Sequence, residues 1–94
     1  MKPRWTRRAL LDLARLHAFL DRHDRQAANR AIHLILDKSN LLASFPELGP
    51  PEQGNPGKRS LFVTFGSAAY VLRYHILKHG CVGILRVFHS REQR

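Results

Sequence analysis

Cysteine, acidic residues and long apolar runs are what this sequence is short of. The single cysteine, Cys81, excludes an intrachain disulfide and fits a reducing cytoplasm. No apolar stretch is long enough to span a bilayer. The basic opening "MKPRWTRRALLDLARLHAFL" meets Asp12, Arg15 and His17 where a signal peptide would carry its apolar core. The sequence therefore reads as a soluble, cytoplasmic protein with no membrane partner. Seven Asp and Glu stand against sixteen Lys and Arg, a formal charge of +9, so the surface attracts polyanions. Nucleic acid, an acidic protein and a nucleic-acid machine all fit that description.

Familiar chemical signatures are missing too. Gly49, Gly54 and Gly57 lie in a proline-rich connection and do not join a strand to a helix, so there is no phosphate-binding loop. His75 and His79 would stand about 13 Å apart at ~3.3 Å per strand residue, too far to share one ion. His17 and His33 lie on different predicted helices with no accompanying Cys or carboxylate pattern. Neither a metal nor a cofactor is expected. Cys81 has no base beside it and reads as a packed or edge thiol.

What is present is well patterned. An apolar fraction of 44% over 94 residues suits one globular domain, 1–94, with a single modest core. Residues 2–5 read as a short strand. Thr6 reads as an N-cap, with Trp5 and Leu10 in the positions of a hydrophobic staple. Ala9, Leu13, Leu16 and Leu20 then mark one face of a helix over 7–22, with Arg7, Arg8, Asp12 and Arg15 on the other side. Asp24 caps a second helix over 24–43 along Ala28, Ala31, Ile32, Ile35 and Leu42, which Phe45-Pro46 stops. So short a connection makes an antiparallel helical hairpin. Residues 46–60 hold four of the five prolines and read as a long loop, followed by strands over 59–65, 70–77 and 81–88. The expected fold is α+β, with the helical hairpin packed on an antiparallel sheet.

The last two strands raise a question of charge. With His79-Gly80 as a two-residue turn, Lys78 faces Cys81, His75 faces Ile84, Tyr74 faces Leu85, Arg73 faces Arg86 and Tyr70 faces His89. Alternation then puts Tyr70, Leu72, Tyr74, Ile76, Leu85 and Val87 on a core face. Leu13, Leu16, Leu20, Ile32 and Ile35 are the matching helical core. Val71, Arg73, His75, Ile84, Arg86 and Phe88 fall on the opposite face. Two arginines directly opposed destabilise a sheet mildly, and folding does not ask for them. That face reads as a cationic, partly apolar surface beside the basic tail "HSREQR". His89, near Arg86 and Arg91, is the one histidine with a reactive setting. In a phosphodiester-cleaving site it would serve as acid or base while the arginines held the developing charge. The plainer reading is a strand-end histidine on the core face beside Tyr70.

The segments "WTRRALLDLARLHAFL", "FPELG", "YVLRYHI" and "ILRVFHSREQR", in that order and spacing, resemble the ParE/RelE superfamily of type II toxin–antitoxin toxins, also labelled plasmid stabilisation proteins. The resemblance covers nearly the whole chain and implies the β-α-α-β-β-β plan read above. It also implies a bacterial toxin held inactive by a cognate acidic, partly disordered antitoxin, with operator DNA bound only through that antitoxin. RelE-like members cleave mRNA in the ribosome with basic residues and sometimes a histidine or tyrosine on the concave sheet face. ParE-like members poison DNA gyrase and are not nucleases.

The departures favour the ParE side. Val71 stands where the ribonuclease branch commonly has arginine, its second arginine falls on or beside Ser90, and a late catalytic tyrosine is missing. Against this, "FHS" with His89 is similar to the strand end of certain RelE relatives. The reading is therefore a gyrase poison that docks through Arg73, Arg86, Arg91 and Arg94, with Phe62 and Phe88 as exposed antitoxin contacts and no catalytic residue. The alternative is a ribosome-dependent mRNA endoribonuclease using Arg73, Arg86 and His89. A third is a non-toxic module that retains only antitoxin affinity.

Overall fold

A computed structural model describes residues 2–92 of the chain. Strand β1 (Arg4–Trp5) leads into helix α1 (Arg7–Asp21) and helix α2 (Arg25–Ser44), followed by strands β2 (Pro51–Glu52), β3 (Asn55–Phe65), β4 (Ala68–Ile76) and β5 (Val82–His89). The five strands form one sheet in the order β1-β5-β4-β3-β2. All neighbours run antiparallel except β1, which pairs parallel to β5 through Arg4–Gly83 and Trp5–Ile84, so the sheet is mixed. No described helix is long and apolar enough to cross a membrane.

Local chemistry sets the helix starts. The Thr6 hydroxyl accepts the Ala9 N–H at 3.0 Å, and the Asp24 carboxylate accepts the Ala27 N–H at 3.1 Å. Thr6 also ties α1 to the sheet, since its N–H donates to Ile84 O and its hydroxyl to Leu85 O. Trp5 packs on the core, but Leu10 is 53% exposed. Ala28 and Ala31, both buried, give α2 a narrow face towards the core. The core joins Ala9, Leu16, Ile35 and Leu42 of the helices to Val63, Tyr70, Leu72, Tyr74, Ile84 and Val87 of the sheet. Leu13, Leu20 and Ile32, expected to be buried, pack half-buried at its margin.

Three expectations need correction. The connection expected over 46–60 is shorter, because β2 and the first half of β3 form a hairpin, with Glu52 opposite Asn55 and Gly54 at φ 80° making the turn. The β4–β5 turn is not the two-residue His79-Gly80. Three residues, Lys78–Gly80, are enclosed by the bond from Leu77 N–H to Cys81 O, and His79 joins Gly80 in the left-handed region at φ 63°. Pairing therefore runs Ile76–Val82, His75–Gly83 and Tyr74–Ile84, one residue off the expected register.

A bulge at Leu85 then absorbs the slip, so Arg73–Arg86 and Tyr70–His89 stand opposed as expected. Ile84 takes the core place expected of Leu85, and Leu85 is left half-buried. Gly83 leaves room for the His75 ring, since a Cβ there would lie 2.6 Å from the imidazole Nε2 and would push the ring aside. The third correction concerns two side chains: Asp12, placed on the polar side of α1, is buried at 4% exposure, and Phe88, expected to be exposed, is 6% exposed.

Candidate functional site

The arginines of the sheet are not loose charges. Strand β1 covers the outer edge of β5 only as far as Ile84. Beyond it Asp12 of α1 takes over, and its Oδ2 accepts the Val87 N–H at 3.0 Å. The same carboxylate holds Arg86 in a fork, Nε to Oδ2 at 2.7 Å and Nη2 to Oδ1 at 3.1 Å. Burial pushes the Asp12 carboxyl up, but the Arg86 and Val87 hydrogen bonds and the charges of Arg86 and Arg15 outweigh it and hold it below the usual value. The Asp12 hydrogen bond raises Arg86 in turn, so the guanidinium stays charged.

This pair continues into the C-terminal turn. Arg15 lies 3.8 Å from Asp12 Oδ1 and 3.0 Å from Glu92 Oε2, and Glu92 Oε1 accepts the His89 N–H at 2.9 Å. The His89 Nδ1 accepts the Arg91 N–H at 3.1 Å, which leaves the ring proton on Nε2 in this arrangement. The His89 ring meets Tyr70 edge-on at 5.5 Å, on the core face as the plainer reading had it. Burial raises both Tyr70 and Tyr74, so neither phenol serves as a base near neutral pH.

Arg73 belongs to the other face of the sheet. Its Nε stands 2.7 Å from Glu52 Oε1, yet neither atom makes an aligned hydrogen bond, so the contact is one of charge. Its guanidinium also lies over the Phe88 ring, 5.3 Å from the centroid. Phe62, Val71 and Phe88 stand opposite one another across β3, β4 and β5. Arg73 helps to cover Phe88, whereas Phe62 is 61% exposed at the end of the row. Arg91 is exposed beside His89, and Arg94 lies outside the described residues. Arg73 and Arg86 thus stand opposite each other across β4 and β5, but a different acid holds each one, and His89 meets Tyr70 on the core face. No group of three metal-ligating side chains occurs among the described residues.

The "FPELG" segment has a local explanation that the sequence did not disclose. The buried Tyr74 hydroxyl donates to Pro46 O at 2.6 Å and accepts the Gly49 N–H at 2.9 Å, and Arg59 donates to Gly49 O at 2.8 Å. A Cβ on Gly49 would stand 2.7 Å from the Ser60 carbonyl oxygen. These residues seat the loop after α2 on the sheet.

A groove of about 710 Å³ opens between the last turns of α1 and the sheet end. Its floor is Leu16, Leu20, Ala68 and Tyr70, with Phe19 as one wall. Arg15, Arg22 and Arg91 stand round its mouth with His89 and Glu92. Phe19 and Ala68 were not among the expected site residues. The available signal was an aromatic residue on a helix position that the Leu13-Leu16-Leu20 stripe does not require.

Comparison with known proteins agrees with this architecture. The family model described as "ParE toxin of type II toxin-antitoxin system, parDE" matches residues 4–94. A Caulobacter vibrioides protein named Toxin RelE3 is 40% identical over 87 residues, 93% of this chain and 91% of the relative. Toxin RelE1 of the same organism is 34% identical over 87 residues, 93% and 90% of the two chains. The solved structure titled "Chromosomal ParDE TA system from P. aeruginosa" shares the fold at a TM-score of 0.74, with 23% identity and 95% of each chain covered.

Proposed function

This chain belongs to the ParE/RelE family of type II toxin–antitoxin toxins, and on that premise we propose that it is a ParE-like poison of DNA gyrase neutralised by a cognate acidic antitoxin. The observation that carries the choice is that Arg73, Arg86 and His89 are each engaged by a different partner. Cleaving a phosphodiester asks a proton-transferring group and charge-stabilising donors to converge within about 3 Å of one phosphate. Here Glu52 engages Arg73 on the outer face, Asp12 of α1 engages Arg86, and His89 meets Tyr70 edge-on on the core face. Docking to a large target needs no such convergence. Arg73 and Arg91 supply charge for it, together with Arg94 in the tail, and Arg86 contributes through its field.

The exposed Phe62 is the antitoxin contact that the outer face offers, and Phe88 supports it from below Arg73. Operator DNA is reached only through the antitoxin. The second reading, a ribosome-dependent mRNA endoribonuclease, draws on two observations: His89 faces an open groove beside Arg91, and two similar proteins carry the name RelE. Purified protein added to gyrase, ATP and plasmid decides between them, since only a gyrase poison blocks supercoiling or traps cleaved DNA.

A further inference from the structure

The sheet keeps one edge open. Strand β2 covers β3 only as far as the bond from Ser60 N–H to Pro50 O, and beyond it nothing among the described residues pairs with the outer edge of residues 61–65. Backbone groups alternate sides along a strand, so the Ser60 bond fixes their direction. Phe62 and Thr64 point N–H and C=O outward, while Leu61, Val63 and Phe65 turn theirs to β4. We infer that this edge is a self-association surface, on which a second copy of the chain pairs through its own residues 61–65. The two strands run antiparallel about a two-fold axis at Val63.

The register follows from the open groups. Phe62 faces Thr64 of the second copy, and Thr64 faces its Phe62, so both outward N–H groups of each copy find a carbonyl. The side chains match as well. On the outer face the exposed Phe62 gains Thr64 of the second copy as a neighbour. On the core face Val63 meets Val63, and Leu61 meets Phe65. Phe62 serves the second copy or the antitoxin, one at a time.

The usual protections of a sheet edge are missing here. Exposed edges are commonly blunted by charge, proline or a bulge. Residues 60–72 hold no charged residue and no proline, and β3 pairs with β4 without a shift from Lys58 to Phe65. The lack of charge also selects the occupant. An acidic segment finds no cation along this stretch, and a nucleic acid finds no side chain to hold its phosphates. A second copy brings a strand that is extended, uncharged and matched to itself.

The opposite edge offers no comparable run among the described residues. Strand β1 is two residues long, and Asp12 already fills the Val87 N–H beyond it. Pairing therefore closes at two copies and does not grow into a fibre. Two five-residue strands bury less than a standard interface, so the dissociation constant should be roughly micromolar or weaker. The charge of +9 on each copy opposes their approach, so added salt should tighten the dimer.

The test is sedimentation and amide exchange of the full chain, purified free of antitoxin, from micromolar to near-millimolar concentration. The chain should pass from monomer to dimer, at lower concentration as sodium chloride rises. The Phe62 and Thr64 amides, open in the monomer, should exchange at least about tenfold more slowly in the concentrated sample. Those of Leu61 and Val63, already bonded to β4, should not change. Thr64→Pro removes an outward N–H without touching the β4 ladder and should weaken the dimer by roughly tenfold or more. Phe62→Lys, which keeps the backbone intact and adds charge to the edge, should do the same with a melting temperature near the parent's. A chain that stays monomeric throughout overturns the inference. So does a dimer whose Phe62 and Thr64 amides exchange as fast as in the dilute sample, or one that Phe62→Lys leaves unweakened.

Discussion

Asp12 and Arg86, 74 positions apart, form a two-pronged ion pair that ties α1 to β5. The carboxylate is almost fully enclosed, and it also satisfies the Val87 N–H where β1 no longer covers the strand. Two otherwise costly features, a buried acid and an open strand edge, are resolved by one contact. Its partner Arg86 keeps some exposure, which moderates the energy of the pair.

Asp12→Asn should therefore destabilise the protein by about 1–3 kcal/mol near pH 7, since it strips a half-buried guanidinium of its counter-charge and weakens the bond to the Val87 N–H. The pH dependence has a definite sign. Asp12 titrates below its ordinary value in the folded chain, so its stabilisation is present above the ordinary carboxylate pKa of 3.8 and is lost as pH falls through the lowered native value. Urea melts at neutral and strongly acidic pH should show a smaller acid-induced loss in Asp12→Asn than in the parent. Equal losses would remove Asp12 from the acid limb.

Tyr74→Phe should cost about 1–3 kcal/mol, because the Gly49 N–H and the Pro46 carbonyl lose their shared partner. Gly49→Ala should cost about as much through contact with the Ser60 backbone. Both variants should loosen the loop after α2, read as faster amide exchange at Leu48 and Gly49, without altering exchange in the middle of β4.

Arg73→Ala and Arg86→Ala should separate docking from folding. Arg73→Ala uncovers Phe88 and should cost no more than about 1 kcal/mol of stability, while weakening gyrase inhibition in a graded way. Arg86→Ala leaves the Asp12 carboxylate buried without its main partner and should show a larger drop in melting temperature. Equal stability in the two variants would show that the Asp12 pairing contributes little.

Antitoxin association should slow as salt rises, with dissociation changing less, because +9 on a small surface speeds encounter while apolar contacts set lifetime. Stopped-flow traces across a salt series check this. An association rate indifferent to salt would remove charge from the account of binding.

The helices were legible because each is marked by a capping side chain and an apolar stripe, Thr6 with Ala9 and Leu16, Asp24 with Ala28 and Ile35. The hairpin register was legible from Arg73 to Tyr70 but not towards the turn. A three-residue turn with His79 in the left-handed region and a bulge at Leu85 cancel each other, and alternation carries no trace of either. Asp12 escaped detection for a related reason. Its place beside the Leu13 and Leu16 stripe looks solvated until a partner from the far end of the chain is known. The groove was equally hidden, since it is made by what Ala68 does not fill.

The most direct test of the central claim puts purified toxin into two assays side by side. With gyrase, ATP and relaxed plasmid, supercoiling should be blocked or cleaved DNA trapped, and His89→Gln should leave that potency unchanged, with no new step in its pH profile. With ribosomes and mRNA, the message should stay intact. Codon-specific mRNA cuts that fall by the 10²–10⁴-fold expected for loss of a general acid or base in His89→Gln, with gyrase untouched, would contradict the account.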